Sequence, residues 1–463
     1  MNNTATASSG ERTTGLQEGL IVSLLGFTVV LVVMNTMMFN LALPKIAAEF
    51  QLSSVASSWI VTGYSIVFAI SSITFSRLSD FVPIRSLFTT GLTLLGAASV
   101  LGFFSNHFII LLCARLIQAA GAASVPGLAI VLITRYVPSD RRGKSMAVIM
   151  SASSLGLGLG PVIGGSITQF LGWHDLFIVT GLTLFLIPVF FKLLPSEMPQ
   201  KGSFDLLGAL LLAIGTTGVL LFLTSREWLT LVVGVVALLL FWLRIRRAAD
   251  PFVQPALFKN KKYMMLSSLG IVSYINNFST LFLLPQILAH LYALTPAQSG
   301  LVIFPGAVVS MLLSNRIGRM IDRHGNTLLL RFAPWLLLAA AGLFALFADN
   351  SIYAIMVVYI LLSVGFSALT TSVSNELSNN LTMDQVGAGM GLFQLSQFFS
   401  GAFSVAVTGV ALTAMQQLPL SSAYTNIFWG MTVVALASVM FSWVYLSMQS
   451  RKKDSSASSN LSS

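Results

Sequence analysis

The chain has 463 residues, 55% of them hydrophobic and 9% charged, where a soluble domain carries about 25% charged residues. Mean hydropathy is +0.85. No Asp, Glu, Lys or Arg occurs from Tyr263 to Asn315 or from Gln385 to Ser450. A spanning helix needs ~20 apolar residues, so each gap holds at least two spans. A soluble enzyme is excluded, and so is a single-anchor protein with a large aqueous domain.

In chain order, residues 1–19 read as a polar, Ser/Thr-rich tail without the basic and apolar blocks of a signal peptide. A window of ~19 residues then predicts fourteen spans, at 20–42, 57–76, 86–104, 108–134, 145–168, 176–195, 206–224, 229–244, 263–288, 298–315, 328–347, 352–373, 386–412 and 425–448. These divide into a six-helix bundle (20–195), an inserted pair (206–244), a basic linker (245–262), a second six-helix bundle (263–448) and a tail (449–463).

With the N-terminus inside, 21 of the 25 Lys and Arg fall in inner loops and tails, Lys45 and Arg226 fall outside, and Arg115 and Arg331 lie within spans. That bias fits the positive-inside rule with both termini cytoplasmic. The net charge of +10 is thus topology, not a nucleic-acid surface. The single Cys113 allows no intramolecular disulfide.

Two short segments repeat. Ser76-Arg77-Leu78-Ser79-Asp80 follows the second span, and Gly318-Arg319-Met320-Ile321-Asp322 follows the tenth, 242 residues later. Each has a small residue four before the Asp and an Arg three before it, in an inner loop. Related halves around a central helix pair would give this spacing, and repeats of this kind build secondary transporters.

The fifth span carries Gly156-Leu157-Gly158-Leu159-Gly160-Pro161-Val162-Ile163-Gly164-Gly165. Gly156, Gly160 and Gly164 fall on one helix face and let another helix approach closely, while Pro161 removes a backbone donor. Small-xxx-small packing alone would account for the run equally well.

This run resembles the antiporter motif of the major facilitator superfamily, and other segments agree with that likeness. Asn40-Leu41-Ala42-Leu43-Pro44 resembles the end of the first helix in the 14-span drug:proton antiporter branch. Arg77 to Arg85 resembles the loop motif after helix two, and Arg115-Leu116-Ile117-Gln118-Ala119-Ala120-Gly121 the helix-four motif. Trp173 to Phe177 and Asp250-Pro251 through Asn260 are similar to two further loops, so the likeness covers about residues 20–448.

The resemblance implies an all-α major facilitator fold of two pseudo-symmetric six-helix bundles plus the inserted pair. It implies proton-coupled efflux of hydrophobic or amphipathic drugs by alternating access, in a bacterial cytoplasmic membrane, by a monomer. Drugs, protons and membrane lipids are the expected partners. The alternative on the same fold is a lipid, lipid-linked sugar or metabolite exporter.

Arg115 lies ~10 Å below the outer surface, where a charge costs roughly 2.5–3.5 kcal/mol and normally faces a cavity or a partner. The resemblance implies a role in proton coupling; snorkelling to headgroups is the plainer alternative. No Asp or Glu falls mid-span. The coupling acids are therefore sought in Asp80, Asp322, Glu376 near the inner end of span twelve, and Asp175 at the outer start of span six, which could meet Arg115.

In the family the loop Asp braces an inner gate. That role falls to Asp80 with Arg77, Arg85, Arg141 or Arg142, and to Asp322 with Arg319 and Arg323. Asn35 stands where many 14-span exporters carry an Asp.

Cavity candidates are Asn35, Thr36, Asn40, Tyr64, Gln118, Tyr274, Asn276, Asn277, Gln394 and Gln397, polar or aromatic residues within spans. No Walker A pattern, metal-ligand cluster or Ser-His-Asp arrangement is visible. No cofactor, metal or catalytic residue is expected.

Overall fold

The computed structural model describes residues 6–52, 54–194, 197, 204–248, 251–382, 385–415 and 417–460. Every regular element among them is helical. The first half contains α1 (Thr6–Glu49), α2 (Ser54–Leu78), α3 (Ile84–Phe103), α4 (Phe108–Tyr136), α5 (Ser139–Phe170), α6 (Leu176–Gly181) and α7 (Ile187–Leu193). Next come α8 (Leu206–Ser225), α9 (Trp228–Arg247) and the short α10 (Pro255–Lys259). The second half contains α11 (Lys261–His290), α12 (Pro296–His324), α13 (Thr327–Phe347), α14 (Ile352–Asn379), α15 (Val386–Ala414) and α16 (Leu420–Asn460).

Among the described residues, thirteen helical stretches are long and apolar enough to cross a membrane. The 25-residue α2 stands at the remaining predicted position. The helices overrun the apolar windows because polar residues continue a helix wherever water or headgroups solvate its ends. The overrun matters most in α12, which continues to His324 and so carries Asp322 on a helix, not in the expected loop. Likewise α5 begins at Ser139 and includes Arg141, Arg142 and Lys144. The sixth span is broken: a 3-10 turn at Leu182–Leu186 separates α6 from α7. Pro188 in the first turn of α7 supplies no amide there.

The two halves meet along two antiparallel seams, α5 on α12 and α2 on α15. Along the first, Val162 sits at Gly300, Gly158 at Ala307, and Lys144 at Gly318. Along the second, Ser76 sits at Gly391, Ser72 donates to Gln394, and Phe68 meets Phe398. The repeat noted in the sequence thus reappears as two seams of the same kind.

Helices α8 and α9 pack mainly on each other, and α8 reaches the rest through α2 and α15. A Cβ at Gly218 would lie 2.7 Å from the Cα of Gly234, so that crossing tolerates no side chain. Asp205 fastens the pair. It caps α8 through the Gly208 amide (3.0 Å), pairs with Arg244 Nε on α9 (3.2 Å), and accepts the Phe252 N–H of the basic linker (3.3 Å).

Asp205→Ala is expected to cost about 1–2 kcal/mol through the cap alone and to lower the melting temperature in detergent. Asp205→Asn should recover most of that loss, since Asn caps as well as Asp. Equal melting of wild type and the Ala variant would contradict the assignment.

Candidate functional site

Arg115 lies in the second turn of α4, fully buried between α1 and α2. Its guanidinium carbon sits 3.9 Å from the Phe39 ring centroid and 4.1 Å from that of Tyr64. Nη1 donates to Asn35 Oδ1 at 3.3 Å and also to Gln118 Oε1. Asn35 Nδ2 in turn donates to the Tyr64 hydroxyl at 3.2 Å. Gln118 Nε2 donates to Ser99 Oγ (3.0 Å) and Thr180 Oγ1 (2.9 Å), which ties the cluster to α3 and α6.

Among the described residues no carboxylate pairs with Arg115, and its Nε and Nη2 have no hydrogen-bond acceptor. Two aromatic faces and two amide oxygens offset part of its desolvation. The charge itself stays uncompensated, so the surroundings disfavour a second cation and favour an anion or a neutral dipole. The expected approach of Asp175 to Arg115 does not occur: Asp175 is the N-cap residue of α6, and no ion pair joins the two among the described residues.

A chain of aromatic contacts leads from this cluster across the halves. Tyr64 stacks with Phe68 (centroids 6.0 Å), Phe68 meets Phe398 (4.7 Å), and Phe398 meets Tyr274 (5.7 Å). Tyr274 also touches Phe278 and Phe366. Gln394 bridges the same seam, accepting from Ser72 at 2.6 Å.

Asn276, Asn277 and Gln397 are buried in the second half; Asn276 Oδ1 and Gln397 Nε2 lack partners among the described residues. Thr36 bonds back to the Val32 carbonyl, and the Asn40 side chain lies outside the described residues. The structure therefore splits the cavity candidates into an Arg115 group and a Tyr274 group, joined by phenylalanines. Phe39, Phe68 and Phe398 are not among the residues that the sequence singles out. Their signal was helical register: Phe68 follows Tyr64 by four residues and Phe398 follows Gln394 by four, on the same helix faces.

At the basic end each repeat Asp reaches into the opposite half. Asp80 pairs with Arg77 (2.7 Å) and Arg135 (3.2 Å), and accepts the Gly387 amide at the start of α15. Asp322 accepts the Gly143 (2.9 Å) and Lys144 (3.2 Å) amides in the opening turns of α5. Asp80 uses the affinity of a helix N-terminus for an anion, Asp322 accepts amides one turn further into α5, and together they close the basic end. Arg142 adds a third crossing, donating to Asn379 Oδ1 at 2.8 Å.

Several expected partners are corrected. Arg85 does not reach Asp80 but lies 3.6 Å over the Phe191 ring, a cation–π contact within its own half. Arg141 pairs with Glu18. No ion pair joins Asp322 to Arg319 or Arg323 among the described residues; Arg319 Nε donates to the Asn315 carbonyl instead. Helix geometry explains this, since α12 continues through the motif and turns Asp322 toward α5. Arg135, the partner that the sequence reading missed, sits at the end of α4 facing the loop after α2. Glu376 accepts from Asn326 (2.6 Å) and Tyr445 (2.5 Å), and no ion pair joins it among the described residues.

Burial raises the Asp80 carboxyl above the ordinary aspartate value, opposed by Arg77, Arg135 and the Gly387 amide. The closed end therefore holds that proton more tightly than an open, solvated end would. Closure is favoured through this group at acid pH, and the contribution fades as pH rises through the raised value. Labelling of a cysteine placed at the basic end, expressed relative to the same thiol in the denatured protein at each pH so that thiolate formation cancels, should become faster as pH increases over that range. In Asp80→Asn the dependence should disappear; an unchanged pH profile would rule Asp80 out.

The glycine run of α5 has two faces. A Cβ at Gly156 would lie 2.8 Å from the Val30 carbonyl oxygen, at Gly160 2.6 Å from Met37 Cβ, and at Gly164 2.7 Å from Met38 Cα. All three therefore face α1 within the first half. Gly158 faces the seam instead, 2.6 Å from Ala307 Cβ. Pro161 and Gly165 are half-buried.

Paired helical halves, two seams, a buried cation inside the first half and carboxylate locks at one end define a multi-pass membrane transporter. The sequence profile described as the Major Facilitator Superfamily matches residues 25–245 and 266–461, and the chain belongs to that superfamily.

Among its relatives is the riboflavin transporter RibZ of Clostridioides difficile (strain 630), 28% identical over 382 residues, covering 81% of this chain and 83% of that protein. The cephamycin export protein CmcT of Amycolatopsis lactamdurans is 27% identical over 430 residues, covering 88% of each. The crystal structure of the human organic anion transporter MFSD10 (TETRAN) superposes with a TM-score of 0.67 at 16% identity, over 90% of this chain and 98% of that one, and supports the fold.

Proposed function

We propose that the protein is a proton-coupled exporter of the 14-span drug:proton antiporter type, moving flat, amphipathic ring compounds out of a bacterial cytoplasm. The observation that carries this reading is the aromatic chain from Tyr64 to Tyr274, which crosses the seam between the halves and starts beside the unpaired Arg115 cation. Aromatic faces take planar rings with little geometric demand, and donors left without acceptors suit a polar ring edge. Rocking of the halves about the two seams supplies alternating access, with the inserted pair outside the path.

Asp80 supports proton coupling at the basic end, taken as cytoplasmic. A carboxyl that binds its proton more tightly when closed releases it on opening, which is the sign required where protons leave. The relationship to a cephamycin exporter agrees with outward drug movement.

A second reading has its own support. The lack, among the described residues, of a carboxylate beside Arg115, together with a relative named as a riboflavin transporter, favours an uncharged or anionic metabolite as cargo.

The test is substrate-evoked proton movement in sealed proteoliposomes under an imposed pH gradient, with norfloxacin, tetracycline, ethidium, acriflavine and riboflavin. Proton flux with the neutral or zwitterionic ring compounds, and less with ethidium, is expected. Flux with riboflavin alone would select the metabolite reading. Silence across the panel from folded protein would refute both.

A further inference from the structure

A groove of about 510 Å³ lies on the outer surface between α13 and α16, lined by Arg331, Trp335, Met440, Ser442, Trp443 and Leu446 among others. Neither helix takes part in the two seams, so the groove is remote from the proposed transport path. Arg331 is the fifth residue of α13, about 6 Å along the helix axis from its basic end. It is exposed, and it has no ion pair among the described residues. No acidic residue lines the groove. Trp335 is 54% exposed and Trp443 73% exposed, an expensive arrangement in water but a favourable one at a headgroup boundary.

From these features we infer that the groove is a binding site for an anionic phospholipid of the leaflet at the basic end. A lone guanidinium on a membrane-facing surface needs a counter-anion at that depth. A phosphate diester supplies one with the paired oxygens that match its fork of N–H donors. The indoles of Trp335 and Trp443 flank the headgroup level, and Met440 and Leu446 offer an apolar bed for an acyl chain.

A zwitterionic headgroup brings its own ammonium beside Arg331 and loses part of the attraction, so a net-negative lipid is preferred. Ser442 Oγ donates to the Leu330 carbonyl and already ties the two helices beneath the groove. A lipid seated there bridges them on the outside, against the face of α16 opposite the Tyr445–Glu376 contact. This assignment does not depend on the cargo of the transporter.

The full-length protein, released from detergent, is titrated with phosphatidylglycerol or phosphatidylcholine, and bound lipids are counted by native mass spectrometry. Melting temperature is followed in parallel. The wild type is expected to retain phosphatidylglycerol on the order of tenfold more tightly, equivalent to about 1.4 kcal/mol, and to melt higher in its presence.

Arg331→Gln should lose both effects, and Arg331→Lys should keep part of each. Arg247→Gln removes a cation at the same end of α9, outside the groove, and should leave both intact. Equal retention of the two lipids by the wild type, or undiminished preference in Arg331→Gln, would overturn the site. Loss of preference in Arg247→Gln to the same degree would also overturn it, by reducing the effect to general surface charge.

Discussion

Arg115→Ala is expected to reduce the initial rate of substrate-driven proton movement on the order of 100-fold while the protein still inserts and folds. The substitution leaves Asn35 Oδ1 and Gln118 Oε1 without their donor inside the membrane, and each lost bond of that kind costs about 1–3 kcal/mol. It also removes the cation lying between the Phe39 and Tyr64 rings, freeing Tyr64 at the head of the aromatic chain.

Arg115→Lys separates charge from geometry. A lysine keeps the charge, but it lacks the planar fork that stacks on two rings while bonding two amides. About a tenfold loss is expected for it. Full activity in the Lys variant would mean that charge alone suffices. Wild-type rates in the Ala variant would make Arg115 a packing residue. Melting curves on the same preparations distinguish a folding defect from a transport defect.

The second large effect is expected from the glycine run, and its two faces should behave differently. Gly158→Leu places a side chain against Ala307 in the α5–α12 seam. The halves then close poorly at mid-membrane, so transport should be abolished with only a small change in melting temperature. Cysteine labelling at the basic end should increase, because the Asp322 contact with α5 is pulled apart.

Gly160→Leu instead collides with Met37 and the Met34 carbonyl inside one half. Overpacking of this kind costs about 1–3 kcal/mol, so a clear drop in stability should accompany its loss of transport. Transport at wild-type rate in Gly158→Leu would sink the seam as a moving contact.

Much of the architecture was legible because lipid enforces long apolar runs, and basic loops reported their side. What hydropathy missed were the helix ends, since a window keyed to apolar residues stops where Arg316 and Ser139 begin to face water. That omission hid the geometry of Asp322, which the continued α12 turns toward the amides of α5. The glycine spacing indicated close approach correctly, but Gly158 lies off the i, i+4 face, and only the fold reveals that it meets another half.

Arg115 was conspicuous as a charge in an apolar run. Its partners were not, because Asn35, Tyr64 and Gln118 lie on three helices and any polar residue in a span could have served. Arg85 was the opposite case. Proximity in sequence to Asp80 suggested a pair, whereas the start of α3 directs it over Phe191.

The most direct measurement of the central claim is uphill substrate accumulation in proteoliposomes with the acidic side facing the proton-entry face. Inside-acid vesicles holding inside-out protein should concentrate a planar ring substrate above the external level, and a protonophore should collapse that excess. Accumulation to the same level with and without the pH gradient would contradict proton-coupled export.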